Sequence, residues 1–274
     1  MDFDIELVGK IGSMALIDTR HHEMDYNKFA RLGRQLHPGI IWVTSGATEI
    51  GRLDYMRRSG KELDGNPDEV KTDYAAQGQA ILMQTYRNFI DARYNVRQVL
   101  VEHYHFNDES KREHIKNMLL RAASQNAVPI INYNDAVSWE ENRKMEIRKL
   151  KETRGTAVEL VDNDETAAQI ACLVRAKILV IMTGLEGIYR DVRDKSTLIR
   201  EISGKDSYEV IKNIDEIKKL CSGASRAGAN GAAAKLEYVK PCVAQGTKVI
   251  IGSADYDICD LVAGTVPCTT IAAR

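Results

Sequence analysis

Apolar residues run along this chain in short unbroken blocks, separated by longer stretches with helical spacing. IELVGKIGSMALI reads as a strand, a glycine turn and a second apolar stretch, and MDYNKFARLGRQLH then carries a helical pattern. GIIWVTSGA reads as a buried strand ending in a small-residue turn, residues 73–93 as a long helix, and VRQVLVEHYHF as a strand. Residues 110–125 have helical spacing, and AVPIINYNDAV is a strand that ends in polar residues. Beyond a charged segment, TAVELVDND reads as a strand-like run, 165–175 as a helix, and AKILVIMTG as a strand. Residues 215–221 and 232–244 read as helices around a glycine-bearing turn, and TKVIIGSA as a last buried strand. Unbroken apolar strands alternating with helices predict an α/β fold, a mostly parallel sheet with helices on both faces. Ligands of such sheets gather outside the carboxyl ends of the strands. The polar turns at 44–47, 132–135, 162–164 and 252–253 all follow strands, and are expected to converge on one edge.

The charged segment at 138–155, SWEENRKMEIRKLKETRG, breaks this rhythm. Charges of both signs at this density fit a solvated helix laced with intrahelical ion pairs. A mobile lid or an oligomer contact is the alternative. No internal repeat, low-complexity tail or evident linker divides the chain, so a boundary between lobes is expected inside this segment.

Composition narrows the partners. With 38 basic and 39 acidic residues among 274, nothing in the charge balance argues for nucleic acid or an anionic membrane. Hydrophobic residues make up 44%, enough for a sizeable core, yet no apolar run approaches the ~20 residues of a membrane span. MDFDIELVGK is acidic and strand-forming, unlike a signal peptide. The five cysteines, 172, 221, 242, 259 and 268, are odd in number and lack metal-ligand spacing. They are expected to be reduced, mostly buried thiols of a cytoplasmic protein.

Three stretches carry candidate chemistry. Lys10 follows a strand beside Gly9, Gly12 and Ser13. Asp162-Asn163-Asp164 lies between an apolar run and a helix. Lys235 stands near a helix start behind Gly228 and Gly231. Two cations, a carboxylate pair and two glycine-bearing turns suit phosphoryl transfer, which depends on charge placement and alignment. Lys10 can reach phosphate oxygens, with glycine N–H groups close by; a solvated strand-end lysine is the bland reading of it and of Lys235. Ser45, Gly46 and Ala47 form a turn in which small side chains let backbone N–H groups approach a carboxylate. Ser45 as a turn cap and Asp135 as a helix N-cap remain open alternatives. There is no Gly-x-x-x-x-Gly-Lys-[Ser/Thr] loop, so a P-loop kinase is excluded.

In order along the chain, GKIGS, VTSGATEIG, AAQGQAILMQTY, VPIINYNDAV, DNDETAAQIA and GANGAAAKLEYV resemble the amino acid kinase family, and within it the glutamate 5-kinases. The resemblance implies a three-layer αβα sandwich forming one domain over 1–274. Residues 1–150 would be its substrate-binding lobe and 151–274 its nucleotide-binding lobe. It implies transfer of the γ-phosphoryl group of ATP, with Mg²⁺, to the side-chain carboxylate of L-glutamate, giving L-glutamyl 5-phosphate, the first step of proline biosynthesis. A cytoplasmic homo-oligomer is expected, with no nucleic-acid or membrane partner and no all-protein metal site. Lys10, Asp164 and Lys235 resemble the catalytic set, Asp164 orienting the two lysines. Ser45, Gly46, Ala47, Asp135 and Asn163 resemble the substrate set, Asp135 and Asn163 holding the amino group and carboxylates. Lys10, Gly12, Ser13, Thr183, Gly184, Gly231 and Lys235 resemble the nucleotide set. An acceptor carboxylate is already ionised at neutral pH, with an ordinary pKa of about 4.3, so no general base is needed. The six histidines are therefore assigned to structure or surface.

Three features depart from the family pattern. Thr183-Gly184 stands where Thr-Asp is common, Gly228-Ala229-Asn230-Gly231-Ala232 replaces Gly-Thr-Gly-Gly-Met, and the spacing from Asp135 to Asp162 is longer. The chain ends soon after VIIGSAD and AGT, and is expected to lack the C-terminal RNA-modification-type domain of longer members. Two other readings stay open: a family kinase for a different small acid, such as an N-acylated or phosphonate-containing analogue, and a catalytically silent nucleotide- or amino-acid-binding regulator.

Overall fold

A computed structural model describes residues 2–138, 140–160, 162–221 and 231–274, apart from the side chains of Glu140 and Glu141. The elements begin with β1 (Ile5–Ile11), the small hairpin β2 (Ile17–Asp18) and β3 (Glu23–Met24), α1 (Tyr26–Gly33), β4 (Ile40–Val43), α2 (Ala47–Ser59) and α3 (Pro67–Phe89). They continue with β5 (Asn95–Val101), α4 (His103–Asn107), α5 (Glu109–Ala122), β6 (Ala127–Tyr133), α6 (Glu140–Arg154) and α7 (Asn163–Leu173). Next come β7 (Ala176–Thr183), the hairpin β8 (Ile188–Tyr189) and β9 (Leu198–Ile199), β10 (Glu201–Gly204) and α8 (Ser207–Leu220). The last elements are α9 (Ala232–Ala244), β11 (Lys248–Ser253), α10 (Ile258–Ala263) and β12 (Cys268–Ala273). The fold is α/β, a three-layer αβα arrangement around a mostly parallel central sheet.

The chain divides into two compact units, each discontinuous in sequence. Unit 1 holds Met1–Ile11, Gly39–Val43 and Asp162–Arg274; unit 2 holds Gly12–Pro38 and Thr44–Val161. In unit 1 the strand order is β10-β12-β11-β7-β1-β4. β4, β1, β7 and β11 run parallel, and β12 turns antiparallel to β11. The register matches Ile11 with Met182 and Thr183 with Ser253, so the carboxyl ends of these strands finish level. Their apolar runs are buried from both sides: Val8, Leu179, Val180, Ile181 and Ile250 are fully covered. That two-sided burial is why they read as unbroken hydrophobic blocks rather than alternating ones.

Unit 2 pairs β5 and β6 in parallel, with Val101 opposite Tyr133. Its core gathers Phe29, Leu32, Leu36, Ile50, Leu82 and Tyr86. Helices α2 and α3 pack almost backbone to backbone. A Cβ on Gly78 would stand 1.8 Å from the Ala47 carbonyl, and one on Gly51 would stand 1.8 Å from that of Tyr74. Only glycine permits this approach. α3 starts where Asn66 caps the Asp68 N–H and Pro67 takes the first helical position, the local chemistry that begins helices.

Several sequence expectations need correction. The apolar run at 157–160 forms no strand. The Val158 N–H and C=O are instead taken by the Asn107 side-chain amide at 2.9 and 2.8 Å, and Leu160 sits at φ 47°. HYHF is not strand but α4: the Glu102 N–H donates to His105 Nδ1 at 2.9 Å and turns the chain out of β5. Residues 47–59, given no helical reading above, form α2, and α8 begins at Ser207 rather than 215. Short elements β8–β10, α10 and β12 carry too little periodicity to be read. The charged segment is a helix, α6, tied down on unit 2: Ile147 is buried, Arg143 donates to the Leu160 carbonyl at 2.9 Å, and Arg154 donates to that of Asn107 at 2.5 Å.

Candidate active site

Unit 1 carries a compact charge cluster at the carboxyl end of its sheet. Lys10 is the sixth residue of β1, and only 6% of it is exposed. That burial rules out a solvated strand-end lysine. Asp164 is the second residue of α7, where Asp162 caps the helix by accepting from the N–H groups of Asp164 and Glu165 at 2.9 and 3.0 Å. Lys235 stands in the first turn of α9, whose N-cap is Gly231; the Gly231 carbonyl accepts from the Ala234 and Lys235 N–H groups. The Asp164 carboxylate bridges the two ammoniums, with Lys10 Nζ 2.5 Å from Oδ1 and Lys235 Nζ 2.9 Å from Oδ2. Burial alone would raise the Asp164 pKa. Lys10, and then Lys235, outweigh it and hold the carboxyl below its ordinary value. A carboxylate so committed does not accept a proton near neutral pH.

Two lysines and one carboxylate leave the cluster with a net positive charge. Charge of that sign in a largely desolvated place is an anion-binding arrangement. Asn163 opens α7 beside it, half-buried. Thr183 ends β7, but its hydroxyl is spent on the turn, accepting from the Leu185 N–H at 2.9 Å and donating to the Leu185 carbonyl at 3.0 Å. Gly184 sits at the apex of that turn with open space around it. Gly228, Ala229 and Asn230 lie outside the described residues.

Unit 2 carries a second cluster. Gly46 takes φ 107°, a left-handed conformation suited to glycine, and sets off α2 with no side chain capping its first N–H groups. A Cβ on Gly46 would touch Ser13 Cα at 3.7 Å, so the 12–13 turn and the 45–47 turn lie against each other. Gly12 starts the short 3-10 helix Ser13–Leu16 at an unremarkable φ of −76°. Ser45 is half-buried, and its carbonyl accepts from the Thr44 hydroxyl. Ala47, Ala75, Gln79, Leu100, Tyr133, Asn134, Asp135 and Ala136 line one small cavity, of about 20 Å³. Burial raises the Asp135 pKa; Lys71 and Arg143 pull it down without cancelling that. No side-chain hydrogen bond or ion pair to Asp135 occurs among the described residues.

Sequence reasoning missed the support of this cavity. Asn134 donates to the Glu102 carboxylate at 2.9 Å, Asn132 donates to Gln79 Oε1 at 2.8 Å, and the buried Gln79 Nε2 has no partner among the described residues. The glutamine lies in AAQGQA, one residue past the glycine that admits α2, and helical spacing alone marks it as any polar residue of α3. The Glu102–Asn134 contact spans 32 residues, a separation no local pattern reveals.

The amino acid kinase family profile matches residues 6–253. The chain belongs to the amino acid kinase family. It is 28% identical over 263 residues to glutamate 5-kinase 2 of Bacillus subtilis, an alignment covering 91% of this chain and 62% of that protein. It is 30% identical over 264 residues to glutamate 5-kinase 1 of Bacillus licheniformis, covering 92% and 64%. The chain thus spans somewhat under two thirds of the length of these curated relatives. Similar solved structures include a carbamate kinase from Giardia lamblia bound to AMP-PNP, at TM-score 0.61 and 12% identity, covering 98% of both chains. The UMP kinase from Ureaplasma parvum aligns at TM-score 0.55 and 14% identity, covering 99% of this chain and 100% of that one. At such identities these structures speak for the fold alone. Among the described residues, no helix is long and apolar enough to cross a membrane.

Proposed function

We propose that this protein transfers the γ-phosphoryl group of ATP to the side-chain carboxylate of L-glutamate, producing L-glutamyl 5-phosphate and ADP for proline biosynthesis. The observation that carries the reading is the buried Lys10–Asp164–Lys235 bridge. The acceptor carboxylate oxygen attacks the γ-phosphorus, and the bond from that phosphorus to the ADP oxygen breaks. Negative charge spreads over the phosphoryl oxygens in this step, and fixed ammonium groups stabilise it without reorganising. Lys10 and Lys235 supply those groups, and Asp164 holds them in place. No residue need take a proton, because the acceptor is ionised and the product acyl phosphate leaves as an anion.

The net positive charge of the cluster fits a polyphosphate. Lys10, Gly12, Ser13, Thr183, Gly184, Gly231 and Lys235 form the proposed nucleotide set, with Thr183 acting through its turn rather than its hydroxyl. Mg²⁺ neutralises phosphate charge when bound. Both Asp164 oxygens face lysines, so the ion is assigned to the nucleotide's own oxygens rather than to a resident protein site.

Asp135 supports an amino acid as acceptor. A half-buried carboxylate whose pKa is raised by burial, with no hydrogen-bonded partner among the described residues, is stabilised when a cation meets it. The ammonium of glutamate supplies one, whereas a phosphate-bearing acceptor would meet a like charge. Ser45, Gly46, Ala47 and Asn163 complete the proposed substrate set, and Gln79 Nε2 joins it as a donor in need of an acceptor. Residues 1–150 and 151–274 are the proposed substrate and nucleotide lobes. Incubation with ATP, Mg²⁺, glutamate and hydroxylamine tests the reading: the acyl phosphate is trapped as the hydroxamate. ADP release with another small acid and none with glutamate would refute glutamate as acceptor. Release with no acid at all would refute the kinase reading.

A further inference from the structure

Unit 1 holds a second reactive pair, away from the charged groups just described. Cys172 lies in the last turn of α7 and Cys242 near the end of α9, 70 residues apart in sequence. Their sulfurs stand 3.2 Å apart, against about 2.05 Å in a disulfide. Neither is bonded; both are free thiols.

The two thiols differ in character. Cys242 is fully covered, and its one S–H has two acceptors in reach, the Ala168 carbonyl at 3.3 Å and the Cys172 sulfur. Cys172 is only half-buried. The Cys242 S–H beside it favours the Cys172 thiolate and lowers its pKa, and the same pairing, with burial, raises that of Cys242. An accessible sulfur with thiolate character next to a shielded partner is the arrangement in which one cysteine is oxidised and the other resolves it.

We propose that Cys172 and Cys242 form an oxidation site in which a hydroperoxide converts the pair to a disulfide joining α7 to α9. The Cys172 sulfur attacks the peroxide O–O bond and becomes a sulfenic acid, and the reduced peroxide leaves as water or an alcohol. The Cys242 sulfur then attacks the Cys172 sulfur, its proton leaves with the departing hydroxide as water, and the S–S bond forms. Two thiols and one hydrogen peroxide thus give one disulfide and two waters. The sulfurs must close by about 1.2 Å, within reach of side-chain rotation and small helix shifts.

The place of the bond matters. Cys172 follows Asp164 by eight residues on α7, and Cys242 follows Lys235 by seven on α9, about two helical turns in each case. The disulfide would therefore clamp together the two helices whose first turns present the bridged carboxylate and lysine. It would also close a long loop, the situation in which a cross-link restricts the unfolded chain most. The inference rests on the thiol pair and its surroundings, and holds whichever acid the protein phosphorylates.

The test treats the folded chain of residues 1–274 with hydrogen peroxide, blocks remaining thiols by alkylation, and maps peptides without reduction. The expected result is loss of two hydrogens from the intact mass and one cross-linked peptide pair containing Cys172 and Cys242. A Tm several degrees higher should accompany it, reversed by dithiothreitol. In Cys242→Ser, Cys172 should stop at the sulfenic acid and label with dimedone; in Cys172→Ser, Cys242 should remain a thiol. A disulfide using Cys221, Cys259 or Cys268 would overturn the proposal. So would oxidation of Cys172 past sulfenic acid in the wild-type chain without a cross-link, or a Cys172–Cys242 bond appearing only after denaturation.

Discussion

Asp164→Asn is the sharpest perturbation of the charge cluster, because it keeps shape and volume while removing the one anion between two ammoniums. In the native protein the carboxylate meets Lys10 at 2.5 Å and Lys235 at 2.9 Å, with only 6% of the Asp164 side chain exposed. The variant leaves two positive charges facing each other across a neutral amide. Removing one partner of a buried ion pair costs about 3–5 kcal/mol, and each kcal/mol moves Tm by about 2–4 °C in a chain approaching this size. A drop on the order of 10 °C is expected at pH 7. The pH dependence supplies a second check. The folded pKa of Asp164 lies below its ordinary value, so its contribution is fully present above the unfolded value of about 3.9 and is lost as pH falls through the folded one. The Tm gap between wild type and variant should hold steady from pH 8 to about 5 and narrow in stronger acid. Differential scanning fluorimetry across that range reads both effects, and the hydroxamate assay should show kcat down ~100–1,000-fold. A variant with wild-type Tm and near wild-type turnover would show that the bridge neither holds the lysines nor serves the reaction.

Lys10→Ala and Lys235→Ala should each lower kcat ~100–1,000-fold with the fold retained by circular dichroism; activity within a few-fold of wild type removes that lysine from the mechanism. Asp135→Asn should raise KM for glutamate far more than KM for ATP. It should also raise the Tm of the ligand-free protein at pH 7, because burial raises the Asp135 pKa and its ionised form weakens the fold above the ordinary carboxylate range; an equal KM effect on both substrates counts against an ammonium contact. Gly78→Ala places a methyl 1.8 Å from the Ala47 carbonyl, and should cost at least about 1–3 kcal/mol as an overpacked core site, with a wild-type urea midpoint as the contrary result. Replacing 138–155 by a few glycine and serine residues should weaken glutamate binding and leave ATP binding nearly unchanged, measured by titration calorimetry; the reverse pattern would put α6 on the nucleotide side.

What was legible in the sequence follows the range of the forces involved. β1, β4, β6, β7 and β11 announce themselves because two-sided burial demands unbroken apolar runs, and that demand is local. α7 is nearly as legible: its apolar stretch reads as a helix over 165–175, and the structure starts it two residues earlier, where Asp162 caps it. The run at 157–160 misleads for an instructive reason: it has strand composition, but its backbone partners come from the Asn107 side chain, about 50 residues back. The absence of any helical reading for 47–59 has a similar origin, since α2 presents small residues to Gly78 rather than a broad apolar stripe. Lys10, Asp164 and Lys235 could be nominated individually from their turns and grouped only through the family resemblance; the distances of their bridge are a tertiary fact. The sulfur contact between Cys172 and Cys242 is beyond cysteine-spacing arithmetic altogether, because the two lie 70 positions apart and nothing local in the chain carries a trace of it.

The two units present opposite electrostatic deficits, and this complementarity is the strongest argument for an amino acid as phosphoryl acceptor. Unit 1 ends its sheet with two ammoniums and one carboxylate, an excess of positive charge that a phosphate chain relieves. In unit 2 the half-buried Asp135 lines a cavity where Asn134 is already committed to Glu102 and Gln79 Nε2 has no partner among the described residues. A ligand that satisfies unit 2 must bring a cation for Asp135 and an acceptor for Gln79, which is the pairing an α-amino acid carries on a single carbon. A ligand that satisfies unit 1 must be polyanionic. A glutamate kinase needs both ligands, and each deficit costs stability until its ligand arrives, so binding free energy and the electrostatic strain of the ligand-free protein have the same physical source.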